Sequence, residues 1–264
     1  MDICDFKTLE MILTTIRPNK IIHLAALSES ESIMKEPFET IYINGVVACK
    51  ICEILHIHKI NCRLFNTCSS EMFKGHKDYL IHDQDKFFLP TYPYAYGKIL
   101  SYSIIEYYRN KYGYSFSNGI LFPTESKRRK GGFLMKKIKD HIEEWKKNRT
   151  NLKLGNLYSN RNMLYVEDVV DAIYLILNQD KGDNYVICGD ENYLIIDIII
   201  SFYKQYEIDL ILKDNFLLEK KSNDIVIEFE PRNGSEINLR GCSKKLKELG
   251  WKIKYSFNDI INNL

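Results

Sequence analysis

A chain of 264 residues, 45% hydrophobic and 27% charged, has ample material for a core and the composition of an ordinary globular protein. A net charge of +2 argues against the strongly basic surface that nucleic acid or an anionic membrane selects. Seven cysteines without a framework spacing point to reduced thiols, and six histidines without ligand spacing argue against a metal site.

The opening "MDICDFKTLE" has neither the basic segment nor the apolar core of a secretory signal. The apolar run "YLIIDIIISFY" (193–203) contains an acid and is too short to span a bilayer, so the sequence reads as a soluble, cytoplasmic protein with no membrane partner. "KIIHLAAL" (20–27) is a short apolar run ending in small residues, which predicts a buried parallel strand. A helix is predicted over residues 37–55. It absorbs "CKIC", since Cys49 and Cys52 three apart share a buried helix face and need no redox role; "HIH" (56–58) then marks a surface helix end. "CRLFNTCSS" (62–70) is the next predicted strand, ending in a hydroxyl-rich turn.

"PYAYGKIL" opens a helix. Pro93 suits a first helical turn because its missing N–H would have no partner there. Ile99, Ile104 and Ile105 form an apolar stripe behind it. Tyr94 and Lys98, four apart, share one face, where an ammonium would stabilise a phenolate and lower the tyrosine pKa. "YSFSNGILF" (114–122) is another strand. Strands alternating with helices predict an α/β fold with a parallel sheet, whose reactive groups gather at the carboxyl ends of the strands. Ser28, Ser69, Ser70 and Glu71 all sit at such ends. Beyond Phe122 come a basic glycine-containing loop (123–132), a charged helix (133–148), a helix over 161–177, a strand over 184–190 and two short terminal helices. "KKLK" (244–247) reads as a solvated face.

In this order, "LAALS", "TCSSEMF", "PYAYGK", "NGILFPTESKRR", "LKLGNLYSNRNMLYVEDVVDA" and "KKLKELGW" resemble the GDP-mannose 4,6-dehydratase family of extended short-chain dehydrogenases/reductases. The resemblance covers nearly the whole chain. It implies a Rossmann-like doubly wound parallel sheet lacking its first two strand–helix units, with a smaller mixed α/β substrate region. Residues 1–122 would be a truncated dinucleotide-binding part, rejoined by about 162–190, and 123–264 would mainly hold the sugar nucleotide.

The resemblance also implies roles. Ser69 would hydrogen-bond the sugar's 4-hydroxyl. Glu71 would take the C5 proton, Tyr94 the 4-hydroxyl proton, and Lys98 would hold the nicotinamide ribose. Asp2, Ile3, Leu24, Ala25, Ala26, Leu27, Ser28 and Arg129 would join Tyr94 and Lys98 around NADP. Ser70, Lys137, Asn156, Arg161 and Arg232 would bind GDP-mannose. No metal is implied, and the family suggests a homo-oligomer or association with a full-length homologue. The likeness lapses at Leu27, Glu29, Pro123, Thr124 and Asn162, and no G-x-x-G-x-x-G turn occurs, as though the chain began at the end of a third strand. Two alternatives therefore stay open: a non-catalytic binding or oligomerisation module, or another sugar-nucleotide dehydratase or epimerase.

Overall fold

A computed structural model describes residues 2–28, 30–74, 78–85, 92–130, 132–231 and 237–264. Four parallel strands, Lys20–His23, Arg63–Ser69, Phe116–Leu121 and Asn184–Ile187, form the central sheet in that spatial order. This is the α/β arrangement expected from alternating strands and helices. The first strand is shorter than its apolar run: it pairs for four residues, Lys20 to His23 against Arg63 to Asn66. The chain then turns away, and the Leu27 carbonyl accepts a hydrogen bond from Asn44 Nδ2 at 2.9 Å. Ile22 and Leu24 are left exposed along that edge.

The predicted helix at 37–55 is real but not uniform. It runs as Pro37–Ile41, a π-helical turn Tyr42–Val46, and Val47–Ile57. The irregular turn lies where this segment crosses the long helix Pro93–Tyr112. A Cβ on Gly45 would sit 2.9 Å from Leu100 Cδ2, and one on Gly97 would sit 2.8 Å from the Cβ of Asn44. The two glycines thus permit a backbone approach that no larger residue would, and the extra residue of the π turn accommodates it. The 37–57 run is long and apolar enough to cross a bilayer, with mean hydropathy 1.4, but half of it is buried inside the fold. Cys52 lies in that buried face, and burial holds its thiol far above the ordinary range, while Cys49 is half-buried.

Three strands carry a buried asparagine where apolar residues are usual. Asn66, Asn118 and Asn184 occupy adjacent register positions and are at most 1% exposed. Asn66 Nδ2 donates to Asn118 Oδ1 (3.0 Å), and Asn118 Nδ2 donates to Asn184 Oδ1 (3.1 Å) and to the Tyr102 carbonyl (3.2 Å). Asn184 Nδ2 continues to the Tyr102 hydroxyl and Glu106, while Arg109 donates to Asn184 Oδ1. The ladder therefore stitches the long helix across three strands.

The second half builds its own core from the helices Leu134–Asn148 and Ile195–Gln205. These pack on a four-stranded sheet ordered Leu210–Lys213, Phe216–Glu219, Ile225–Phe229, Leu152–Leu154. The helix predicted from 161 begins at Val166, because Asn160–Asn162 and Leu164–Tyr165 are held in short strand pairings. "KKLK" is only partly solvated: Lys245 reaches the Asn184 carbonyl (2.9 Å) and Asp183, and Lys247 pairs with Asp190.

Replacing Asn118 by Leu would deprive Asn66 Nδ2 of one of its acceptors, Asn184 Oδ1 of a donor and the Tyr102 carbonyl of a donor. Urea unfolding is expected to show a loss of about 2–4 kcal/mol. A loss below about 0.5 kcal/mol, the scale of an indifferent surface substitution, would show that the ladder carries no weight.

Candidate active-site cleft

The central strands Arg63–Ser69 and Phe116–Leu121 and the first turn of the long helix open onto a cleft of about 550 Å3. Each functional side chain is placed by a local rule. After Ser69 the chain enters a short 3-10 turn, Ser70–Phe73, and Ser69 Oγ caps it by accepting from the Glu71 N–H at 3.2 Å. That cap fixes Glu71 at the rim. Pro93 starts the long helix, which brings Tyr94 to the same rim and buries Lys98 one turn further in.

Lys98 is 2% exposed, and its Nζ donates to the Thr67 carbonyl at 2.8 Å. Burial lowers its pKa to about 8. Its Nζ stands 5.7 Å from the Tyr94 ring centroid. The sequence reading expected this lysine to lower the phenol's pKa; in this state the phenol is instead pushed up to about 12. Burial is the larger effect, Glu71's charge adds to it, and the Ser69 hydrogen bond and Arg129 oppose it. The lysine is committed to a main-chain carbonyl rather than to the phenol. His23, at the end of the first strand, is pushed down to about 4 by burial and by Lys98.

Glu71 Oε2 pairs with Lys74 Nζ at 3.0 Å and accepts a short hydrogen bond from the Tyr92 hydroxyl. The Tyr92 and Tyr94 rings stack at 6.2 Å and 16°. Across the cleft, Arg129 donates to the Thr124 carbonyl (2.6 Å) and lies over the Phe133 ring (3.8 Å). Arg161 also lines the cleft. Between the two arginines Glu125 is 2% exposed, its Oε2 3.9 Å from Arg129 Nε. Burial raises the Glu125 pKa and both guanidinium groups oppose the rise.

The structure thus brings Ser28, Ser69, Ser70, Glu71, Tyr94, Arg129 and Arg161 to one cleft, with Lys98 beneath. It does not bring the other described residues there. Asp2 accepts from the Cys4 N–H (2.9 Å) before the first helix, and Ile3 packs on the core under that helix. Leu24 and Ala26 are exposed on the loop after the first strand, where Ala25 and Leu27 are half-buried. Lys137 is on an exposed face of its helix, and Asn156 Oδ1 is used locally by the Tyr158 N–H (2.8 Å). Arg232 lies outside the described residues. Sequence reasoning missed Tyr92, Lys74, Glu125 and Phe133. Only Tyr92 left a signal, its position immediately before a helix-opening proline.

A hydroxyl, a phenol and a carboxylate facing two guanidinium groups can move protons on a polyol whose anionic tail the arginines hold. Comparison with known proteins gives the family. The family model for GDP-mannose 4,6 dehydratase matches residues 1–264. GDP-mannose 4,6 dehydratase 1 of Arabidopsis thaliana is 30% identical over 267 residues, covering 98% of this chain and 70% of the relative. The dehydratase sdnI of Sordaria araneosa is 27% identical, covering all of this chain and 50% of the relative. Among solved structures, RMD from Pseudomonas aeruginosa complexed with NADPH superposes with TM-score 0.83 at 18% identity, over 100% of this chain and 85% of that one. dTDP-glucose 4,6-dehydratase of Bacillus anthracis in complex with NAD gives 0.77 at 16% identity, over 99% and 76%.

The neutral, buried His23 makes stability pH-dependent. Its folded pKa of about 4 lies below the ordinary 6.5, so the unfolded chain binds the extra proton between those values. Stability should therefore fall as pH drops from about 6.5 to 4, by at most roughly 3 kcal/mol from this group. His23→Asn is expected to flatten that part of the stability–pH curve; an unchanged slope would contradict the assignment.

Proposed function

Since this chain belongs to the GDP-mannose 4,6 dehydratase family, we propose that its cleft converts GDP-mannose to GDP-4-keto-6-deoxymannose. NADP would act as a hydride carrier regenerated in each turnover. The observation that carries this reading is the convergence of Ser69, Glu71 and Tyr94 on one cleft backed by Lys98. The residues present fit the cofactor in one respect that matters. Among the described residues the Thr67 carbonyl accepts from the buried Lys98 ammonium, at the cleft floor where ribose hydroxyls could supply further acceptors. Bound there, NADP supplies acceptance of the C4 hydride and its return to C6.

The chain's own residues would do the rest. Ser69 holds the 4-hydroxyl. Tyr94 takes its proton as the phenolate, the form that the Ser69 hydrogen bond and Arg129 favour against the burial that pushes this phenol up to about 12. The resulting C4 carbonyl acidifies the neighbouring C5–H, so a carboxylate held close is basic enough to remove that proton. Glu71 removes it and passes it to the departing C6 hydroxyl, which leaves as water. On hydride return to C6, C5 takes a proton from solvent and Tyr94 releases the 4-hydroxyl proton to solvent, which balances the cycle. Arg161 pairs with the diphosphate of the sugar nucleotide and Arg129 contacts the cofactor, roles for which guanidinium forks are suited. In this reading residues 1–122 mainly position the cofactor and 123–264 the sugar nucleotide. A homo-oligomer also fits, because Tyr96, Leu100, Tyr107 and Tyr112 of the long helix remain exposed.

The purified protein, given GDP-mannose and NADP, should form a 4-keto product visible by NMR. Glu71→Gln should slow dehydration by about 100-fold or more, the usual scale for losing a positioned base, while C4 oxidation in a single turnover persists. Tyr94→Phe should suppress both. A folded wild-type sample that forms no 4-keto sugar contradicts the assignment.

A further inference from the structure

We infer that Tyr92 is a positioning residue for Glu71, whose hydroxyl clamps one carboxylate oxygen so that the other is presented to the sugar's C5 proton. The inference rests on the reaction proposed above and adds a residue to it.

The backbone fixes where this ring starts. A residue before proline is kept out of the helical region, and Tyr92 has φ −163° and ψ 162°. Its carbonyl is held by the Ala95 N–H at 3.1 Å. From that anchor the hydroxyl donates to Glu71 Oε2. Lys74 Nζ approaches the same oxygen at 3.0 Å and stands 5.4 Å over the Tyr92 ring. Both contacts fall on Oε2, which leaves Oε1 for a substrate proton. The ring meanwhile stacks on Tyr94, so one side chain braces both proton carriers.

The chemistry requires a donor that keeps its own proton. Burial, followed by the charge of Glu71, raises the Tyr92 pKa far above that of an ordinary tyrosine, so the hydroxyl stays protonated and can only donate to the carboxylate. During dehydration the C5–H bond breaks and its proton goes to Oε1. The electron pair forms the C5=C6 double bond conjugated with the C4 carbonyl, and the C6–O bond breaks. The hydroxyl leaves as water with the proton Glu71 has just taken. Tyr92 donates to Oε2 throughout and loses nothing.

Tyr92→Phe keeps the stacked ring and removes only the hydroxyl. Its kcat for 4-keto-6-deoxy product should fall by about 10–100-fold, as for one charge-assisted hydrogen bond. The KM for GDP-mannose and the single-turnover rate of C4 oxidation should stay within about threefold, under a tenfold equivalent of binding energy. The thermal midpoint should stay within about 2 °C. A wild-type kcat, or an equal fall in C4 oxidation, overturns the proposal.

A readout independent of turnover is the 13Cζ resonance of Tyr92, identified by its loss in Tyr92→Phe. Among the described residues, Glu71, Lys74 and Tyr94 are the titratable groups that face it. The resonance should not titrate below about pH 11, and its ionisation should move to lower pH in Glu71→Gln. An unchanged titration in Glu71→Gln overturns the clamp. The expected titration without any product would instead overturn the reaction and leave the clamp standing.

Discussion

A buried ammonium must find an oxygen. Lys98 finds the Thr67 carbonyl near the end of a central strand, and that one bond ties the long helix to the mouth of the sheet. Ser101 donates to the Lys98 carbonyl at 2.9 Å and meets Asn66 on the sheet at 3.4 Å, so the same helical turn is held from two sides. Tyr94, one turn earlier, is thereby set beside Ser69 and Glu71. Together with the Ser101 contacts and the asparagine ladder, this attachment holds the first turn of the helix, and the phenol on it, against the strand ends.

The same burial explains the electrostatics. Lys98 and His23 shift downward; Tyr94, Tyr92 and Glu125 shift upward. In each case burial is the largest cause, and each shift favours the neutral form. Pairwise charges modify this trend without reversing it, as the arginines do at Glu125. A cleft of this kind raises the cost of every stray charge, so the groups that remain ionic are paired or await an ionic ligand. Two arginines aimed at a cleft whose own carboxylate is buried between them fit a diphosphate better than they fit each other.

Much of this was legible in the sequence. Apolar runs ending in small or hydroxyl residues located the strand ends, and the proline-opened helix located Tyr94 and Lys98. What resisted reading was whatever depends on contacts between distant segments. The π turn at Tyr42–Val46 follows from a crossing of two helices through Gly45 and Gly97, which local periodicity does not record. The hairpin strands Leu210–Lys213 and Phe216–Glu219 went unread because a lysine- and asparagine-bearing segment hides their alternation; Asp214, at φ 52°, makes the turn. The asparagines of "FNT", "SNG" and "DNY" each look like a weak strand residue alone. Their meaning appears only when adjacent register makes them one ladder. The expected fall in the Tyr94 pKa failed for a related reason, since four-residue spacing gives proximity but not the carbonyl that captures the lysine.

The central claim is that these groups act on one hexose ring, moving a hydride from C4 to C6 within a single bound sugar. GDP-mannose deuterated at C4 tests it most directly. If the claim holds, mass spectrometry and NMR of the product will show the deuterium at C6, and unlabelled sugar turned over in D2O will carry a solvent deuterium at C5. Deuterium released to solvent, or retained at C4 in unchanged sugar by a folded protein supplied with NADP, would contradict it.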